Sequence, residues 1–215
     1  MMIALPRFQS RVVPVIALHD ATQAVRLAHA LLDGGIDVME ITLRTPQALQ
    51  AIEAVARDVP QMVVAAGTVT RAAEVASVCA AGARLALSPG LTQTLVRAAC
   101  DAGLPFIPGV MTPGEVMAAR EQGFRLLKLF PAAQAGGLAM LQALAGPLPE
   151  IRFCPTGGIH PDNLGSYLAQ RNVAFVGGSW LTPPDMLARR DWAGITALAR
   201  AASALSGPAT DSPAT

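Results

Sequence analysis

Eight short β-branched or apolar runs alternate along this chain with Ala- and Leu-rich amphipathic stretches, and that alternation constrains the fold more than any other feature. The period of two predicts strands over residues 12–18, 38–44, 62–68, 84–88, 105–110, 126–131, 151–156 and 174–179. Helical patterns begin near residues 21, 46, 71, 92, 113, 137 and 161, with a final helix after Pro183 or Asp185. Proline in several first turns, and Gly34, Gly82, Gly103 and Gly123 at the expected helix stops, agree with these boundaries. A strand-to-strand spacing of about 20 to 27 residues is that of one βα unit with short connections. Eight such units in series predict one α/β domain, a single closed (β/α)8 TIM barrel over residues 1–206. An open doubly wound sheet is the alternative. It lacks support, because no GxGxxG follows the first strand and no acidic residue closes the second. The polar, Pro-containing stretch 207–215, GPATDSPAT, is expected to be a disordered tail.

A 52% hydrophobic content and a mean hydropathy of +0.42 raise the question of a membrane protein. No uninterrupted apolar run approaches the roughly 18 residues that a span needs, so the apolar surplus is assigned to a core. The net charge of +1, with acids and bases scattered, offers no basic face for nucleic acid and no polybasic stretch for lipid. Any anionic ligand must therefore be held by a local site. The opening MMIALPRFQS has neither the charged and apolar regions of a leader nor its cleavage site, so a cytoplasmic protein is expected. Cys79, Cys100 and Cys154 are odd in number and lack metal-ligand spacing, which predicts reduced thiols. His19, His29 and His160 have no i,i+4 partner and no adjacent Cys or Asp cluster, so they are assigned to surface or packing roles and no metal is expected.

The chemistry collects at predicted strand ends. Lys128 interrupts the apolar run Leu126-Leu127-Lys128-Leu129-Phe130-Pro131. An ammonium left unpaired there would cost several kcal/mol and be driven toward the neutral amine, a nucleophile for ketones. A lysine that snorkels out or is paired in the core is the plainer reading. On the second strand, period two puts Glu40, Thr42 and Arg44 on one face, expected to look into the barrel. Glu40 and Arg44 either pair along the strand or act separately, Glu40 as acid/base and Arg44 as a carboxylate or phosphate clamp. The seventh strand runs into Thr156-Gly157-Gly158 before a helix N-terminus, and the eighth ends Gly177-Gly178-Ser179. These are plain turns or, side by side after strands seven and eight, a cradle for phosphate.

With VVPVIAL, MEITLRT, AAGTV, SPGLT, PFIPGV, KLFPA, RFCPTGGI and GGSW in this order, the chain resembles the 2-keto-3-deoxy-6-phosphogluconate (KDPG) aldolase family over about residues 11–205. These are the class I, pyruvate-dependent aldolases of the Entner-Doudoroff pathway, acting also on 4-hydroxy-2-oxoglutarate. The resemblance implies Lys128 as the Schiff-base lysine and Glu40 as the general acid/base. It implies Arg44 and Thr68 as holders of the pyruvate carboxylate, with Pro89, Phe130 and Thr156 lining the pocket. Gly157, Gly158, Gly178 and Ser179 would meet the phosphate. It further implies cleavage of KDPG to pyruvate and glyceraldehyde 3-phosphate without a cofactor or metal, in a homotrimer of (β/α)8 barrels. Two positions depart from the family pattern: Ala133, acidic in some members, and His160, often serine. Competing expectations are 4-hydroxy-2-oxoglutarate aldolase or oxaloacetate decarboxylase as the main activity, or a non-enzymatic barrel that binds a sugar phosphate.

Overall fold

The computed structural model of the chain describes residues 3–206, so the expected tail at 207–215 lies outside the described residues. Among the described residues nine strands form: β1 (Val12–Ile16), β2 (Val38–Thr42), β3 (Val63–Gly67), β4 (Leu85–Leu87), β5 (Phe106–Ile107), β6 (Gly109–Val110), β7 (Leu126–Leu129), β8 (Arg152–Phe153) and β9 (Val176–Gly178). The extra strand arises because the expected fifth one is broken at Pro108. Proline has no N–H for the ladder, although its carbonyl still accepts from the Lys128 amide at 2.9 Å. Helices α1 (Ala24–Asp33), α2 (Ala48–Asp58), α3 (Ala72–Ala80), α4 (Gln93–Asp101), α5 (Pro113–Glu121), α6 (Gly137–Ala145) and α7 (Pro161–Leu168) follow the predicted pattern, α1 after a 3₁₀ turn at Ala21–Gln23. The single last helix expected from sequence is two, α8 (Pro184–Arg189) and α9 (Trp192–Ser206), separated at Arg190, whose φ of 56° is incompatible with a continuous helix.

All strand pairs are parallel. One sheet runs β5-β4-β3-β2-β1-β9 and the other β6-β7-β8. They are continuous through Pro108 on one side. On the other, the bridges Phe153↔Val173 and Thr156↔Gly177 and the 2.9 Å bond from Gly177 N–H to the Pro155 carbonyl join β8 to β9. The result is the (β/α)8 barrel.

Two apolar layers follow from two-sided burial of the strands. Val13, Val38, Val63, Leu85, Ile107 and Leu126 fill the lower lumen, and Leu5 and Phe8 pack beneath them. Phe8 meets Phe175 edge-on at 5.2 Å. The Asp37 carboxylate accepts from the amides of Gln9 and Ser10 at 2.7 and 2.9 Å, holding this segment across the N-terminal end. A larger cluster, with Leu27, Leu31, Ile52 and Val55 fully buried, lies between sheet and helices. With one end of the barrel plugged by hydrocarbon, polar chemistry is left to the other.

Candidate active site

The upper lumen is built by alternation on β2 and β7 and by small residues around them. In register, Val15, Glu40 and Ala65 lie side by side on β1, β2 and β3, and Gly109 faces Lys128 across β6 and β7. Gly67 leaves the space that Glu40 occupies, since a Cβ there would overlap the Glu40 side chain. Lys128 Nζ donates to Glu40 Oε1 at 2.8 Å, with the two side chains 5% and 1% exposed. Of the alternatives open for Lys128 from sequence, the structure shows pairing in the core. Lys128 has a carboxylate partner 88 positions away in sequence, and the pair is buried. Such a pair costs several kcal/mol of desolvation per ion, so it is a poor device for stability alone. The Phe130 ring lies 5.4 Å from Nζ and faces the ammonium with its π-cloud. Glu40 Oε2 is buried with no hydrogen-bond partner among the described residues. An unmet buried acceptor costs about 1–3 kcal/mol, and here it belongs to the carboxylate that holds Lys128.

Glu40, Thr42 and Arg44 do not act as one inward row. Thr42 and Thr45 donate to the carbonyls of Ile16 and Leu18 at 2.8 and 2.6 Å, pinning the chain that leaves β1. Because β2 ends at Thr42, alternation no longer governs Arg44, which is exposed and makes no ion pair with Glu40. Arg44 instead lines a cavity of about 480 Å³.

That cavity gathers most of the expected substrate contacts. Arg44, Phe130, Thr156, Gly157, Gly158, Gly178 and Ser179 line it, whereas Thr68 and Pro89 are not among its lining residues. Thr68 follows Gly67 in a left-handed conformation, φ 58°, and the Pro89 backbone lies against Gly109. Thr68 follows the glycine that packs against Glu40, and Pro89 lies against the glycine that faces Lys128. Phe130 and Thr156 link the cavity to Lys128, which lies two residues before Phe130 on β7 and one layer deeper. Gly157 and Gly158 have φ of 99° and 80°, where side chains are disfavoured, and a Cβ on Gly158 would approach Ala133 Cβ to 2.5 Å. The Ala133 departure thus lies against the cradle. His160 is the N-cap of α7. Its amide donates to Asn163 Oδ1, and Asn163 Nδ2 donates to the Gly158 carbonyl, both at 2.9 Å, so the helix N-terminus and the loop are tied together.

His19 and Cys154 are among the residues that sequence did not assign to the site. His19, assigned to a surface or packing role, is exposed but lines the cavity; the signal was its position just beyond β1. Cys154 is buried in the lumen with its sulfur 3.7 Å from Thr156 Oγ1. Burial pushes its thiol up to about 12, against the pull of the Lys128 charge and the Thr156 hydrogen bond. It is therefore a neutral filler. A thiol reagent should label exposed Cys100 first and leave Cys154 unmodified until denaturant is added, as peptide mapping of a time course would show. Labelling of Cys154 in the folded protein would contradict that burial. Among the described residues, no group of three or more His, Cys, Asp or Glu side chains could hold a metal, and no helix is long and apolar enough to cross a membrane.

The family model for KDPG and KHG aldolases matches residues 7–198. The chain belongs to that aldolase family. Over 193 residues it is 51% identical to the 2-dehydro-3-deoxy-phosphogluconate aldolase of Dickeya dadantii, covering 90% of this chain and 91% of the relative. It is 49% identical to the KHG/KDPG aldolase of Escherichia coli, covering 89% and 90%. The KDPG aldolase of Legionella pneumophila, solved with pyruvate captured at low pH as a covalent carbinolamine intermediate, superposes with a TM-score of 0.88 at 45% identity over 90% of this chain and 94% of that one. The Zymomonas mobilis ZM4 enzyme, solved with 3-phosphoglycerate, gives 0.86 at 42% identity over 91% of each. Within the aldolase fold, the Lys128–Glu40 pair occupies the end of the barrel where catalytic groups of such barrels collect.

Proposed function

We propose that this aldolase cleaves KDPG to pyruvate and glyceraldehyde 3-phosphate through a Schiff base on Lys128. One observation carries the reading: a buried Lys128 Nζ lies 2.8 Å from the Glu40 carboxylate, next to a cavity that holds both Arg44 and the glycine cradle. A proton passed from Nζ to Glu40 leaves an amine, which adds to the C2 ketone to give a carbinolamine. Loss of water forms the iminium. Glu40, returned to its carboxylate, removes the C4 hydroxyl proton as the C3–C4 bond breaks. The bonding electrons move to the iminium nitrogen, the aldehyde phosphate leaves, and an enamine remains. Protonation at C3 and addition of water then release pyruvate and restore the amine. The carbinolamine described for the Legionella enzyme and the 3-phosphoglycerate bound to the Zymomonas enzyme support the two ends of this scheme.

Arg44 is assigned to the keto-acid carboxylate and the Gly157, Gly158, Gly178 and Ser179 wall to the phosphate. Thr68 and Pro89 belong to the carboxylate side, where they adjoin the glycines next to Glu40 and Lys128. The E. coli relative's name, KHG/KDPG aldolase, favours 4-hydroxy-2-oxoglutarate as a second substrate. A homotrimer acting in the cytoplasm completes the proposal on family resemblance. The test is a coupled assay for both products. Wild-type protein should release pyruvate and glyceraldehyde 3-phosphate one for one from KDPG. Arg44→Ala should weaken cleavage of both aldols by about 10- to 150-fold, the loss of one charge-assisted contact worth roughly 1.5–3 kcal/mol. Ser179→Ala should lower kcat/KM for KDPG more than for 4-hydroxy-2-oxoglutarate. No pyruvate from KDPG would refute the function, and an unchanged selectivity ratio in Ser179→Ala would refute the placement of the phosphate.

A further inference from the structure

The cavity that holds the glycine cradle also carries an imidazole to which no role has been given. His19 lies three residues past the end of β1, where the Thr42 and Thr45 hydroxyls hold the carbonyls of Ile16 and Leu18 and so set the course of the chain. It lines the same cavity as Gly157, Gly158, Gly178 and Ser179, and its side chain makes no hydrogen bond or ion pair among the described residues. The ionisable residues lining this cavity are His19, Asp20 and Arg44. Asp20 is committed elsewhere. Its Oδ1 accepts from Thr22 N and Oγ1 at 3.0 and 2.6 Å, and its Oδ2 accepts from Gln23 Nε2 at 3.0 Å and Arg190 Nη2 at 3.5 Å. These donors, first the Thr22 and Gln23 side chains, hold its carboxyl below the usual range. A carboxylate satisfied in this way neither needs His19 nor competes strongly for it.

A phosphate seated on the cradle receives neutral backbone amides and one hydroxyl from that wall, which leaves its outward oxygens without a cation. Arg44 is taken by the keto-acid carboxylate. We propose that His19 is the cationic arm of the distal subsite: as imidazolium it donates to the substrate's phosphate and sets the preference for phosphorylated over unphosphorylated aldols. The proposal rests on the aldolase reading above and deepens it by naming a specificity residue. The charges that act on it are Asp20 and Arg44 from the cavity lining, Arg190 through Asp20, and the phosphate itself.

The experiment measures kcat/KM for KDPG and for 4-hydroxy-2-oxoglutarate in wild type, His19→Gln and His19→Lys. The quotient of the two constants should fall roughly 10- to 100-fold in His19→Gln, the scale of one hydrogen bond to a charged group. It should be largely kept in His19→Lys. Pyruvate trapping on each variant reports whether fold and nucleophile are intact. A quotient unmoved by His19→Gln, or a loss that His19→Lys does not restore, overturns the role of His19. A wild type that traps no pyruvate instead overturns the aldolase reading, so the two failures are separable.

Discussion

Treating the protein with pyruvate and borohydride will add one reduced pyruvyl group per chain, on the peptide containing LLKLFP. The iminium that carries the proposed reaction is also the species that borohydride reduces, and Lys128 is the lysine that the barrel buries beside a carboxylate. Comparison with a Lys128→Ala protein gives this result its meaning, because the sequence contains no other lysine. The label must then vanish altogether rather than move to a neighbour. KDPG cleavage should fall by at least roughly 10⁴-fold in the same variant, the scale set by removing a covalent nucleophile. Intact mass, peptide mapping and the coupled assay suffice, with circular dichroism to confirm that the variant is folded. A Lys128→Ala protein that still cleaves KDPG at a comparable rate would end the Schiff-base assignment.

Breaking the Glu40–Lys128 pair from one side should cost about 3–5 kcal/mol, because either truncation leaves a charge buried without its partner. Glu40→Ala and Lys128→Ala should therefore both shift the urea midpoint well down. Replacing both groups by hydrocarbon, as Glu40→Leu with Lys128→Met, should recover that loss. It should give a protein as stable as wild type or about 1–4 kcal/mol more so, while cleavage is abolished. The paired hydrocarbon gains come from removing two desolvation penalties and from removing Glu40 Oε2, a buried acceptor with no hydrogen-bond partner among the described residues. Stability and activity would then part company at one site, as expected where a fold keeps an expensive polar pair for its chemistry. If the double variant is destabilised by the sum of the singles, the two groups are energetically independent and the 2.8 Å contact means little.

The repeating βα spacing was enough to derive the barrel, because short connections and right-handed crossovers leave a parallel sheet few ways to close. Where local rules alone were used they failed at identifiable places. Pro108 splits one strand by withholding an N–H, and Arg190 divides the last helix by its left-handed backbone. Neither is a periodicity, so periodicity did not reveal them. Alternation along β2 placed Glu40 inside correctly but carried Arg44 too far, since the strand stops at Thr42 and its face no longer exists two residues later.

Family resemblance supplied roles for Thr68, Pro89, Phe130 and Thr156 that no local pattern contains. Of these four, the structure puts Phe130 and Thr156 in the cavity wall with the cradle, while Thr68 and Pro89 adjoin the glycines next to Glu40 and Lys128. His19 passed as an ordinary surface histidine because a lone imidazole after a strand has no periodic or spacing signal.

By itself, then, the sequence determined the order of elements, the closed barrel and the presence of an out-of-place lysine near glycine-rich strand ends. Those properties are written in local hydrophobic period and turn chemistry. Only the tertiary structure decided which charge meets which. Lys128 and Glu40 are 88 residues apart, and His19 lines the same cavity as Gly157 and Gly158 although far from them in sequence. Closing the sheet brings strands that are distant in sequence across one lumen, and the low dielectric there turns a scattered lysine and glutamate into a coupled pair.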